Sequence, residues 1–260
     1  MMTGSPLLFT VLLTAGVGLP APPSLDARCD VRRELDRALD AADIRGVLVS
    51  AAAGSLRVTG SARGGVRVTA VVCASDEGLA EDARLVAEVR RGAAWIEADL
   101  SDHDGGWDRD YVRMDLVIEM PAGLAADIRD GSGEVEVAGI AAVRIEDGSG
   151  PIEVEDIEGE VEIDDGSGDV VLRRVGAVQI EDGSGGIEIA DVRGDVHVTE
   201  DGSGGIDIRE VAGSVRIDDD GTGGIYVADV GGDLVVGDEG SGSLRYRDVR
   251  GRVRVPDGGR

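Results

Sequence analysis

"IEDGSGPIEVEDIEGEVEIDDGSG", residues 145–168, prints Asp-Gly-Ser-Gly twice, eighteen residues apart. The glycine that follows each repeat Asp recurs at Gly131, Gly148, Gly166, Gly183, Gly202, Gly221 and Gly240, in steps of 17, 18, 17, 19, 19 and 19. A period near twenty held over seven copies is the signature of a solenoid whose repeat is one coil.

Aligning the copies gives five apolar columns. One contains Val143, Val161, Val178, Val196, Val215, Leu234 and Val253; two residues on come Ile145, Ile163, Ile180, Val198, Ile217, Val236 and Val255. After the glycine turn come the columns that begin at Ile152 and Val154, and then the one that begins at Ile157. Alternation of β-branched residues with polar ones is strand period. Each coil therefore has two short strands, V-x-I and I-x-V. They are separated by an Asp-Gly-Ser-Gly turn and by a second turn of the form Asp-Val-x-Gly, as in "DVRG" at 191–194 and 248–251. Successive copies run the same way, so like strands stack in parallel. The expected fold is all-β: a parallel β-helix of ~18-residue coils, two short strands per coil.

The core must be aliphatic, because the chain has one Phe, two Trp and three Tyr. Net charge is −26, and every one of the 26 basic side chains is arginine. Nucleic acid is excluded as a partner, since phosphate binding needs a basic stripe. Cations, cationic surfaces, and envelope or surface proteins or glycans are the expected classes.

Four segments follow from the composition: residues 1–27 as a signal peptide, 28–120 as an irregular N-terminal β region, 121–255 as the regular solenoid, and 256–260 as a tail. The apolar run "PLLFTVLLTAGVGLPA" at 6–21 is too short and too Gly/Pro-rich at its exit for a membrane span. Export to the periplasm or cell surface of a bacterium is expected. In an exported chain, Cys29 and Cys73 form one disulfide most simply. Residues 30–43 have helix-like composition, and 47–71 alternate as earlier, less regular coils. "SDHDGGWDRDY" at 101–111 is an acidic loop, and "VRMDLVIEMPAG" at 112–123 is a strand leading into the first regular coil.

The early "AGSLRVTG" at 53–60, "VRMDLVIEMPAGLAADIRDGSGEVEV" at 112–137, and the reiterated strand–Ser-Gly–strand units resemble a bacterial β-strand-repeat family. That family is labelled "putative adhesin", a domain of unknown function. The resemblance covers roughly residues 44–255. It implies an exported β-helix-like body and carries no catalytic residues over. The nearly invariant Asp before Gly-Ser-Gly and the arginine-rich end depart from the family pattern.

The Asp column is Asp130, Asp147, Asp165, Asp182, Asp201 and Asp220, then Glu239. Stacked at coil spacing, neighbouring carboxylates repel by about 1 kcal/mol in water and several times more at lower effective dielectric. One reading is an Asx-type turn, in which each carboxylate accepts the N–H two residues on. The other is a row of metal sites, with Ca2+ bridging adjacent coils; no other cofactor is expected. In the earlier coils each Asp lies two residues after an inward Ile, so an unbroken strand aims it at the core. An unpaired carboxylate there is prohibitive, so the chain is expected to corner, or the carboxylates to pair with amides or ions. From Asp201 onward one extra residue precedes the turn and changes that parity.

Enzyme readings fare badly. Asp-Gly-Ser-Gly is not the G-x-S-x-G elbow, and His103 and His197 have no Cys or Ser partner. The acidic residues Asp102, Asp104, Asp108 and Asp110 miss the EF-hand spacing, because Trp107 stands where glycine is needed. The expected function is a non-enzymatic interaction module that uses flat acidic faces such as Glu153, Glu188 and Asp207. Alternatives are a Ca2+-binding repeat and a polysaccharide-acting β-helix enzyme. Five arginines at 245, 247, 250, 252 and 254 either blunt the terminal edge or dock it onto an acidic partner, head to tail with a second copy.

Overall fold

In a computed structural model, residues 29–40, 44–100 and 110–256 are described. The proposed signal peptide and most of the acidic loop, His103 included, lie outside them. Among the described residues no helix is long and apolar enough to cross a membrane.

The N-terminal third runs β1 (Val31–Leu39), β2 (Gly46–Ser50), β3 (Leu56–Ser61), β4 (Val66–Ala74), a short helix α1 (Glu77–Asp82), β5 (Arg84–Arg90), β6 (Ala93–Asp99) and β7 (Val112–Pro121). Thereafter the chain alternates between two sheets. One receives β8 (Ala125–Asp130), β10 (Ala142–Asp147), β12 (Val161–Asp165), β14 (Val178–Asp182), β16 (Val196–Asp201), β18 (Val215–Asp219), β20 (Leu234–Asp238) and β22 (Val253–Arg254). The other receives β9 (Val135–Ala138), β11 (Ile152–Glu155), β13 (Val170–Val175), β15 (Ile187–Val192), β17 (Gly204–Val211), β19 (Gly223–Val230) and β21 (Ser243–Val249). Among the described residues each sheet has eleven strands, and the repeats pair in parallel. The protein is a parallel β-solenoid with two short strands per coil, as the repeat period requires.

Register follows the aligned columns. Val143 pairs with Val161, which pairs with Val178; Ile152 pairs with Val170, which pairs with Ile187. These residues are buried and form one continuous aliphatic core. Full burial of each stabilises the fold by ~1.5–3 kcal/mol, realised only when neighbouring coils cover both sides.

The early strands belong to the same stack but not in chain order. β2 sits between β6 and β8, and β3 between β7 and β9, so the coil formed by β2 and β3 is inserted beneath the first regular coil. The N-terminal end is closed by antiparallel pairing of β1 and β7 with β4 and of β5 with β6.

Residues 31–39 are a strand, not the helix that their composition implies. Val31, Leu35 and Leu39 are spaced four apart and only half buried, which mimics a helical stripe. Long-range pairing with β4 over its whole length overrides that propensity. Between them Arg33 donates to the carbonyls of Ala80 (3.0 Å) and Ala83 (3.3 Å) at the end of α1. The expected Cys29–Cys73 disulfide is present and ties the start of β1 to β4.

Candidate functional site

The Asp-Gly-Ser-Gly turn repeats because its glycines touch. A Cβ on Gly168 would lie 1.8 Å from the Gly150 carbonyl oxygen, and one on Gly185 would lie 1.6 Å from that of Gly168. Both have φ near +150°, where L side chains are strained. The first glycine of each turn gives its N–H to the Asp carbonyl of the preceding coil: Gly166 to Asp147 (2.9 Å), Gly183 to Asp165 (2.9 Å) and Gly221 to Asp201 (2.7 Å). Backbone polarity at the corner is thus met from coil to coil.

The Asp side chains lie inside. Asp130, Asp147, Asp165, Asp182, Asp201 and Asp220 are all buried. They stack in unbroken Cα register from Asp130 to Asp220. The corner does not turn them outward. Only part of the Asx-turn reading holds: Asp165 Oδ1 accepts from Ser167 N (3.2 Å) and Asp182 Oδ1 from Ser184 N (3.1 Å). No well-formed hydrogen bond reaches either oxygen of Asp130, Asp147, Asp201 or Asp220, nor Oδ2 of Asp165 or Asp182. Asp130 and Asp147 nonetheless lie close enough to interact with each other, and the Ser149 and Ser203 N–H groups approach Asp147 and Asp201. Glu239 follows Asp238, whose partner is Asp219, and so continues the register one rung beyond Asp220. It is half buried, with a buried unpartnered Oε2, while its neighbour Asp238 takes the Asx role by accepting from Gly240 N at 2.9 Å.

Parity does not change at Asp201. A β-bulge between β14 and β16 pairs Ile180 with Val198 but Glu181 with Glu200, so the extra residue, Thr199, is absorbed before the turn. The Thr199 hydroxyl donates to the Ile180 carbonyl at 3.0 Å. At the lower end the column stops at Asp130, because Arg129 pairs with Ser50 and the chain continues there as Ala51.

Electrostatics follow from burial. Desolvation, reinforced by flanking carboxylates, pushes Asp130, Asp165 and Asp201 up to about 7. Burial also raises Asp147, Asp182 and Asp220. Among the described residues, no three His, Cys, Asp or Glu side chains converge as a metal cluster. The column offers its carboxylates two at a time.

The outer faces are ordinary by contrast. Arg144 pairs with Glu146 and Glu162, and Arg129 with Glu146 (2.9 Å), so opposite charges alternate along one face. His197 is half buried, with Nε2 2.8 Å from Asp218 Oδ2. On the other sheet Glu136, Glu153, Val171, Glu188, Asp207 and Tyr226 form one outward ladder in register. Arg209 lies over the Tyr226 ring at 5.4 Å, and Arg247 donates to its hydroxyl at 2.7 Å.

The second turn holds a feature that the periodicity did not single out. Asp156, Arg174, Asp191, Glu210, Asp229 and Asp248 all have φ between 53° and 58°, one per coil. A left-handed residue there turns the strand so that the next residue, Ile157 or Val175 for example, points inward and is buried. The polar residue before each Val of "DVRG" is its only sequence signal. This side carries a groove of about 680 Å3 bordered by Asp191, Glu210, Asp229 and Asp248 together with Arg193 and Arg250.

No family model and no curated protein matches the chain. Solved structures similar to it include a "putative cell adhesion protein" from Clostridium sporogenes: 14% identity, 79% of this chain and 99% of that one, TM-score 0.42. A "putative adhesin" from Bacteroides fragilis shows 14% identity over 83% and 97% of the two chains, TM-score 0.49. A "putative adhesin" from Parabacteroides merdae shows 9% identity over 86% and 97%, TM-score 0.40. At these identities no residue role passes from those proteins to this chain.

Proposed function

We propose that the protein is a non-enzymatic, exported β-solenoid that binds an envelope or surface partner through the outward face of the sheet containing β11–β19. The outward ladder Glu153, Val171, Glu188 and Asp207 is the observation that carries this reading; Arg173 pairs with Glu153 and Glu188, and Arg209 with Asp207. Rungs of a parallel sheet rise by ~4.8 Å, so a repetitive charged or hydroxyl-rich surface can engage several of these side chains at once. Export is supported by the Cys29–Cys73 disulfide, which persists in oxidising compartments, and by the apolar run at 6–21.

The test is capture of partners from an envelope extract on the immobilised full chain, beside a Glu153→Gln/Glu188→Gln/Asp207→Asn variant. The expected result is a discrete bound set that the variant loses. An identical bound set on both proteins overturns the face assignment.

A further inference from the structure

Six carboxylates form one column inside the solenoid, and no basic side chain meets them. Asp201 is 0% and Asp220 1% exposed, and neither has a hydrogen-bond partner for either oxygen. Asp130 and Asp147, each 7% exposed, interact with one another and with nearby backbone N–H groups, and Asp165 and Asp182 each keep one unpartnered oxygen. Among the described residues the arginines pair instead with outer carboxylates, such as Glu162, Glu155 and Asp218. The N–H groups of Gly148, Gly166, Gly183, Gly202 and Gly221 are committed to carbonyls of the preceding coil. An ionised carboxylate buried without a partner costs several kcal/mol. Repeating that position six times, and keeping Asp201 inside by a β-bulge, requires something that neutralises the column.

We propose that the column binds divalent cations of the Ca2+ class, each held between the carboxylates of two successive coils. Consecutive rungs are ~4.8 Å apart along a parallel ladder. Two carboxylates that clasp one Ca2+ with oxygens at ~2.3–2.6 Å put their carbon atoms about 5 Å apart, which matches that rise. The donors are hard oxygens, which favour Ca2+ over thiophilic metals. Mg2+ demands near-ideal octahedral geometry, whereas Ca2+ accepts the irregular oxygen sets that a stacked column presents. Six negative charges are balanced by three divalent ions. The site is thus the interior stack of carboxylates, with the Asp-Gly-Ser-Gly turn only closing over it.

The experiment uses the full chain, dialysed against EDTA at pH 8 and titrated with CaCl2. Retained metal is measured after gel filtration, and thermal melts are run with and without Ca2+. The expected result is one to three Ca2+ retained per chain and a midpoint raised by millimolar Ca2+. Asp165→Asn/Asp182→Asn should lose at least one equivalent, while the outer-face variant Glu153→Gln/Glu188→Gln keeps the wild-type number. Asparagines stack well in ladders of this kind, so the interior variant is expected to fold. Should it not fold, the wild-type measurement decides. No retained Ca2+, with equal midpoints in EDTA and Ca2+, overturns the proposal and leaves protons as the neutralising species. Retention that survives the interior variant and is lost in the outer-face one overturns it as well, in favour of surface binding.

Discussion

Asp182 stacks in register on Asp201 although 19 residues separate them, against 17 between Asp165 and Asp182. The bulge at Thr199 absorbs one of the two extra residues ahead of the turn, so the carboxylate stays inside. Had the extra residue shifted the strand end, Asp201 would face solvent, where an acidic side chain costs nothing. The local geometry thus preserves the burial of a charged group, against the usual preference.

Replacing a rung by asparagine tests this directly. In EDTA at pH 8, Asp201→Asn removes a charge buried with two unpartnered oxygens and supplies a donor to its neighbours. Stability is expected to rise by about 1–3 kcal/mol, the usual cost of an unsatisfied buried polar group. Denaturant titration reads the change. A variant less stable than wild type under metal-free conditions would show that the carboxylate itself is required there.

The pH profile without metal should run opposite to that of most proteins. Asp130, Asp165 and Asp201 rise from an ordinary 3.8 to about 7 in the folded chain. The folded state therefore holds extra protons between those values. Their contribution is fully present below pH 3.8, is lost progressively as pH rises, and is gone above about 7. Outer carboxylates act the other way. Asp156 is lowered by Arg174, Asp218 by His197 and Glu146 by Arg129, so what they contribute is lost as pH falls through their depressed values. These outer groups are solvated, and their effect is small. Thermal midpoints in EDTA should peak in the mildly acidic range and fall by pH 8; a profile that climbs from pH 5 to pH 8 would contradict the burial of the column.

Glycine substitutions separate packing from chemistry. Gly185→Ala places a methyl 1.6 Å from the Gly168 carbonyl oxygen at φ 151°, and no flexible side chain can yield there. About 2–4 kcal/mol of destabilisation is expected from overpacking and backbone strain together. Gly64→Ala is the control, since a Cβ there meets nothing within 4 Å. Equal effects at the two positions in urea titrations would refute the stacked-turn account.

The disulfide closes a sequence separation of 44 residues between the capping strand β1 and β4. On the loop-entropy relation, removing it by Cys29→Ser/Cys73→Ser costs about 4 kcal/mol. Loss should be seen first as exchange of β1 amides, because among the described residues β1 pairs only with β4. Protection of β1 that is unchanged in the variant would show that strand pairing alone holds the cap.

Much of this architecture was legible in the residues themselves. The columns through Val143 and Ile152 are the register partners of the sheets, because a two-residue alternation repeated at fixed period admits few other stackings. β1 was not legible, since Val31, Leu35 and Leu39 print a helical spacing and only partners 27 to 43 residues away make them a strand. Parity aimed the early Asp residues at the core. The cost of an unpaired charge argued against that placement, and the placement is nevertheless what the backbone adopts. The left-handed residues at Asp191 and Glu210 escaped notice because aspartate and glutamate there look like surface charge.

The far end of the solenoid gives the last expectation. Among the described residues β21 and β22 are the outermost strands of their sheets, and the coil that they form carries Arg245, Arg250, Arg252 and Arg254. Tyr246, in a column buried in every earlier coil, is 42% exposed there. An open parallel edge with an uncovered aromatic is a template for pairing with another chain, and like charge on both approaching ends opposes that pairing. Replacing the four arginines by serine should therefore increase self-association with rising concentration, read by sedimentation velocity at physiological salt. Association of the native chain at micromolar concentration, abolished by the same replacement, would show instead that the arginines dock this end onto a second copy.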